Sequence, residues 1–237
     1  MSAVEQYAAL IDEANEQRNR LHGGLPETDR WGGETAHSMR ADPHRELDAN
    51  LEVIASYVKS EDVFVDAGGG AGRFSLPLAL RCRQVINVDA SPGMGKEFEA
   101  SAAEAGITNA SFILSDWVHC DGVQGDVTLS ANVTYFVRDI GGFVQRLEAS
   151  SRRRVMISIR SVPSPYQGAK IFQLVYGEEQ ILVPGHTQLM PVLWELGILP
   201  DLYVLPSVPA ARSAPLDTTL PQTREDAIER VLKGRWL

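Results

Sequence analysis

The sequence predicts an α/β fold, an open and mostly parallel sheet wound with helices on both faces, and three observations predict it. Five short apolar runs recur between residues 63 and 159, separated by stretches with helical spacing, the pattern of strands buried on both faces in βαβ units. The first run, Val63-Phe64-Val65, ends in Asp66 and then in glycines at 68, 70 and 72, which reads as a strand entering a tight turn. The second run ends in Asp89, about 20 positions beyond that turn, where a carboxylate can meet two vicinal hydroxyls of a ribose.

The elements follow in order. Residues 3 to 19 place Val4, Tyr7, Ala8, Leu10, Ile11 and Ala14 at helical spacing, and residues 21 to 41, bearing Trp, Gly and His, read as a loop or lid. Asp42 as N-cap and Pro43 at the first helical position then predict a helix whose stripe is Leu47, Leu51, Ile54, Ala55 and Val58. This divides the chain into an N-terminal helical and lid segment, 1–42, and a cofactor-binding domain, 43–237. After the glycine turn, Phe74, Leu76, Leu78, Ala79 and Leu80 form a short helical face, and Gln84 to Asp89 is the second strand. Ser91-Pro92 opens the next helix. Strand three, Ala110 to Ser115, ends in Asp116-Trp117; strand four, Asp126 to Ala131, runs into Asn132 to Asp139 and an amphipathic helix; strand five is Arg154 to Ile159. The prolines at 163 and 165 break the chain just past that strand, at the carboxyl edge where open parallel sheets bind ligands. Further on, 187–197 reads as a helix, 201–208 as a sixth strand and 224–232 as a helix, with Leu216 to Leu220 at best a poor seventh strand. A sheet edge left open there would be a pairing site for a second copy, a homodimer contact.

Composition bounds the function. With 237 residues, 44% hydrophobic and 22% charged, the chain can bury one sizeable α/β core. A formal charge of −9 repels phosphates, so a nucleic-acid partner is not expected unless a local basic patch exists. Arg152-Arg153-Arg154 is the compact cationic run, and its place before strand five reads as a solvated loop. Cys82 and Cys120 lack C-x-x-C spacing, the N-terminus lacks a signal-peptide pattern, and no apolar run is long enough for a bilayer. A cytoplasmic protein with no membrane partner is expected. His22, His37, His44, His119 and His186 show no metal-ligand spacing, so no metal is expected, and no G-x-S-x-G elbow occurs.

The glycine spacing then discriminates between cofactors. A dinucleotide site requires G-x-G-x-x-G, whose third glycine would fall at Arg73; here it comes one residue early, at Gly72, which disfavours NAD. The form Asp66-Ala67-Gly68-Gly69-Gly70-Ala71-Gly72, D-x-G-x-G-x-G, resembles motif I of the class I S-adenosylmethionine-dependent methyltransferases, and the resemblance extends from residue 63 to about 160. It implies a Rossmann-like sheet of order 3-2-1-4-5-(7)-6 and S-adenosylmethionine as cofactor. It implies that Gly68, Gly70 and Gly72 shape the turn beneath the methionine part and that Asp66 orients its ammonium. Asp89 would hold the ribose, while Asp116 and Trp117 receive adenine. The region from Asn132 to Leu147 looks like its counterpart in small-molecule methyltransferases. Asn132 to Tyr135 does not fit N-P-P-Y, because both prolines are absent and Asn132 comes one residue late.

A small-molecule acceptor would draw on Trp31, His37, Asn132, Tyr135 and Tyr166, with His119 close by. The expected reaction is in-line methyl transfer. Two alternatives remain at this point: a nicotinamide-dependent oxidoreductase, and a cofactor-binding protein without turnover, since no side chain stands out as an indispensable base.

Overall fold

In the computed structural model, which describes residues 1–22, 29, 31–206 and 225, five parallel strands form one sheet in the order β3-β2-β1-β4-β5. The chain runs α1 (Ala3–His22), α2 (Glu34–Ser38), α3 (Ala49–Ala55), β1 (Val63–Ala67), α4 (Ser75–Ala79), β2 (Gln84–Asp89), α5 (Pro92–Glu104), β3 (Ala110–Leu114) and β4 (Gly125–Ala131). It continues through α6 (Ile140–Ser150), β5 (Ser151–Ser158), α7 (Ala169–Tyr176) and α8 (His186–Glu195), with single 3-10 turns at Trp117–His119, Thr134–Phe136 and Ser164–Gly168. Pairing is parallel throughout, and its register sets Asp66 beside Asn87, Asp89 beside Leu114 and Ala131 beside Ser158. The carboxylates that end β1 and β2 are thereby brought to one edge.

Alternation of side chains along β1 explains the two layers. Val65 and Ala67 face a core with Tyr7 and Ile11 of α1, Ile140, Phe143 and Leu147 of α6 and Val192 of α8. Phe64 faces the other core with Leu51 and Ile54 of α3, Leu76 and Leu78 of α4 and Phe98 of α5. Both faces of the sheet are covered, which is why its strands read as continuous apolar runs.

Three elements differ from the expectation, each for a local reason. The helix expected from Asp42 begins at Ala49, because the Asp48 carboxylate accepts the amide N–H groups of Asn50 and Leu51 and is the cap. Asp42 instead closes a turn on the His44 amide, although Leu51 and Ile54 are buried as the stripe predicts. The fifth strand starts three residues early, at Ser151, with an irregularity in its register against β4, so the arginine run lies within the strand and not in a loop. There Arg152 pairs with Asp126, Arg153 pairs with Asp62, and Arg154 lies 4.2 Å over the Tyr57 ring. Residues 201–206, expected to begin a sixth strand, carry no regular structure, and Leu202, Tyr203 and Val204 are exposed. The proposed seventh strand at 216–220 and the rest of the 224–232 helix lie outside the described residues.

Among the described residues no helix is long and apolar enough to cross a membrane. Both cysteines are buried and unpaired.

Candidate active site

The turn after β1 is fixed first by its own backbone. The Gly68 N–H donates to the Val88 carbonyl at 2.7 Å, and the Asn87 side-chain amide donates to the Gly70 carbonyl at 3.0 Å, so β2 holds the loop from beneath. At Gly68, φ is +75°, and a Cβ would fall 2.5 Å from a Val133 methyl group. Only glycine lets the loop after β4 close against the turn.

Above this turn lies a cavity of about 1070 Å³, at the upper end for small-molecule sites and large enough for a cofactor with an acceptor beside it. Its lining includes Asp66, Gly68, Gly70, Asp89, Asp116, Trp117, Asn132 and Trp31 from the sequence reading. Gly72, His37, Tyr135 and Tyr166 are not among its lining residues. A Cβ at Gly72 would meet Phe98 at 2.6 Å and Leu76 at 2.7 Å, so this glycine serves the packing of the turn on α4 and α5. His37 projects outward, with its ring 3.2 Å from the Glu97 carboxylate on α5. Tyr166 lies in the 3-10 turn after β5, its neighbours Ser164 and Gly168 reaching the cavity in its place.

Tyr135 is 1% exposed and works from within. Its hydroxyl donates to Asn132 Oδ1 at 3.2 Å and accepts the Arg160 N–H at 2.6 Å, tying the ends of β4 and β5 together. Asn132 is the one non-glycine residue with positive φ, +61°, among the described residues, a conformation that asparagine tolerates better than most. Beneath it, the buried Tyr7 hydroxyl of α1 donates to the Thr134 carbonyl at 2.7 Å.

The carboxylates differ in what they have left to offer. Asp89 accepts the Gly70 N–H and the Ser91 N–H, one on each oxygen and both at 2.9 Å, which fixes its plane and leaves further lone pairs toward the cavity. Burial raises its pKa, against those two amide bonds, with Asp29 nearby adding to the rise. Asp66 is fully buried, and neither oxygen has a hydrogen-bond partner among the described residues. Burial lifts its pKa to about 7, with Asp89 adding to the effect; Ser75 and Arg73 are near enough to ease the charge, but the Ser75 hydroxyl closes no bond to it. Asp116 is exposed and uses Oδ1 to cap its own 3-10 turn on the Val118 N–H. The Trp117 indole N–H next to it is buried without a partner among the described residues.

Sequence reasoning missed Asp29. Its Oδ2 accepts from the Ser91 hydroxyl at 2.9 Å and the Gly93 N–H at 2.8 Å, so it sits on the N-terminus of α5 while its Oδ1 takes the Trp31 N–H. Phe136 also lines the cavity, edge-on to Trp31 with ring centroids 5.4 Å apart. No local pattern could have shown either contact, because the partners lie 62 or more residues away in the chain.

A parallel sheet with a glycine turn at its first strand and carboxylates at the ends of consecutive strands is the arrangement of a nucleotide-cofactor site. The comparisons say which kind. Residues 65–154 match the family model described as "Methyltransferase domain". The chain carries a class I S-adenosylmethionine-dependent methyltransferase domain, and its cofactor is S-adenosylmethionine. It is 27% identical over 150 residues to an uncharacterised protein of Haemophilus influenzae. It is 41% identical over 59 residues, a quarter of the chain, to the 23S rRNA (uracil(1939)-C(5))-methyltransferase RlmD of Shewanella sediminis. The matches span 55% and 13% of the lengths of those relatives. Among solved structures, magnesium protoporphyrin IX methyltransferase from Synechocystis with bound SAH superposes with a TM-score of 0.54 at 16% identity, covering 69% of this chain and 78% of that one, a likeness of fold.

The residues present fit that cofactor. A buried carboxylate without a partner among the described residues suits an ammonium group, and Asp89 and the Trp117 N–H, also without a partner among them, offer an acceptor and a donor on the same cavity.

Proposed function

We propose that this protein transfers a methyl group from S-adenosylmethionine to a small-molecule acceptor bound in the same cavity. The observation that carries the reading is the run of Asp66, Asp89 and Asp116 at the carboxyl ends of three adjacent strands, all lining one cavity. When bound, the cofactor supplies an electrophilic sulfonium methyl and a neutral leaving group, so the protein's task is mainly to position and to exclude water. Asp66 takes the methionine ammonium, Asp89 the ribose hydroxyls, and Asp116 with Trp117 the adenine. Asn132 and Val133 reach the cavity from the end of β4, on the side away from β2 and β3, and fix where the acceptor lies. Trp31 and Phe136 close over its apolar body, and His119, exposed at the cavity wall, is the titratable side chain available to an acceptor that must lose a proton.

A small-molecule acceptor is favoured over a nucleic acid because the compact arginine run is engaged by Asp126, Asp62 and Tyr57 at the amino end of β5, away from the cavity edge. Methyl transfer is favoured over hydride transfer because the third glycine is early. Replacing Asp89 by Ala should weaken S-adenosylmethionine by about 1.5–3 kcal/mol, the range for hydrogen bonds to a charged group, with the fold retained. Calorimetry on both proteins, alongside a titration with NAD, decides it. An unchanged dissociation constant, or binding of NAD in place of S-adenosylmethionine, would sink the reading.

A further inference from the structure

The residues at the strand ends change in charge along the sheet edge, while Asp139, also in the lining after β4, is engaged by the Gly142 N–H as the cap of α6. From β3 through β2 to β1 the strands end in or beside Asp116, Asp89 and Asp66; the next strand, β4, ends at neutral Asn132, and Arg160 follows β5. With neighbouring strands about 4.8 Å apart, the end of β5 lies three spacings, about 14 Å, from that of β2. Cofactor and acceptor must meet near β4, so the β5 end belongs to the acceptor.

Three arginines line the cavity, and they are not equivalent. Arg138 is held by the Asp12 carboxylate through two guanidinium nitrogens, each at 2.8 Å. Arg73 lies 4.8 Å over the Phe74 ring and acts on Asp66, so it belongs to the methionine end. The Arg160 guanidinium makes no hydrogen bond or ion pair among the described residues, although its backbone is pinned by the Tyr135 hydroxyl at 2.6 Å. A cation with no ion-pair partner among the described residues, exposed at the cavity wall on a backbone held by Tyr135, in a chain with formal charge −9, is a recognition element for an anion. Beside it the wall is apolar, with Phe136, Val137 and Ile171.

We infer that the acceptor carries an anionic group, a carboxylate or a phosphate, that pairs with Arg160 while its apolar body rests against Trp31 and Phe136. The inference rests on the methyl-transfer reading, since that reading assigns the acidic wall to the cofactor. Arg160 is a specificity-determining residue: it grips the acceptor and leaves the cofactor untouched.

The test uses the full chain saturated with S-adenosylhomocysteine and titrated with pairs of probes: benzoate against benzamide, phenyl phosphate against phenol, and alkyl carboxylates against their amides. At least one anion should bind tenfold or more tighter than its neutral partner. Arg160→Gln should abolish that preference and Arg160→Lys retain part of it, with S-adenosylhomocysteine affinity within twofold of the parent in both. Which anion wins separates carboxylate from phosphate. Equal binding of charged and neutral partners, no binding by any anion, or a preference that survives Arg160→Gln overturns the inference. Failure of S-adenosylhomocysteine itself to bind would show up in the first titration, and would be a failure of the methyl-transfer reading.

Discussion

Asp66, proposed above to take the methionine ammonium, is the residue through which pH should act on cofactor binding. Buried without a hydrogen-bond partner among the described residues, it has its pKa raised to about 7, chiefly by desolvation, so without ligand it holds its proton at pH 6 and loses it above 7. The sign follows. A carboxyl whose folded pKa is raised contributes stability fully below its unfolded pKa of about 4 and loses that contribution as pH rises through about 7. An ammonium group placed beside it favours the ionised form, so binding expels a proton below pH 7. Affinity for S-adenosylmethionine should therefore fall up to tenfold per pH unit below 7, with proton release visible when calorimetry is repeated in buffers of different ionisation enthalpy. Asp66→Asn should bind more weakly at pH 8, lose the pH dependence, and unfold at a higher temperature than the parent when empty. Affinity that stays flat from pH 5.5 to 8 in the parent would remove Asp66 from the ammonium site. Asp66, Asp89 and Asp116 were legible in the sequence because each ends an apolar run, and a run buried on both faces announces its own carboxyl end. Asp29 was not, since its meaning comes from a helix N-terminus 62 residues away.

At the level of elements, the ends of β4 and β5 are joined by one hydroxyl. Tyr135→Phe would leave the Asn132 side-chain oxygen and the Arg160 N–H without their partner in a part-buried place. Two such losses should cost about 1–3 kcal/mol of unfolding free energy in denaturant titrations. The same change should loosen Arg160 and so lower the affinity of whichever anion binds there, while the Asp89 side of the cavity stays as it is. A variant as stable as the parent would show that water replaces the hydroxyl. The strands themselves were readable from their apolar runs, and the stripe of α3 from its spacing. Its start was misplaced because Asp42 and Asp48 are both good caps six residues apart, and only the tertiary position of Leu51 and Ile54 selects between them. The expected strand at 201–208 has the right composition in Leu202, Tyr203 and Val204, but composition cannot supply a pairing edge, and 201–206 do not pair with β5. His37 and Tyr166 are expected near the site from their places beside Trp31 and the break after β5; neither lines the cavity, and the His37 ring lies against Glu97.

Across the whole molecule, the N-terminal segment is bound to two different places, and this separates its responses. The α1 helix is part of the core on one face of the sheet, with Tyr7 and Ile11 buried against α6 and α8. The part that follows rests on the glycine turn and the start of α5. Ala36 packs with Ala71 of the glycine turn and Met94 of α5, flanked by Trp31 and Met39, and a Cβ at Gly93 would fall 2.4 Å from the Gly32 α-carbon. Asp29 fastens this segment to the N-terminus of α5, and Trp31 reaches across the cavity to Phe136. A ligand that orders the turn and fills the space beneath Trp31 should hold the segment in place, as lids that exclude water do. Hydrogen exchange with and without S-adenosylhomocysteine should therefore show slower exchange at residues 31–41 as well as at Gly68 to Gly72, with residues 3–20 of α1 unchanged. Asp29→Ala, which removes the fastening, should reduce the added protection at 31–41 more than that at the glycine turn. Identical exchange at 31–41 in both states would mean that the segment is a fixed wall of the cavity, and Trp31 would then shape the acceptor site without closing it.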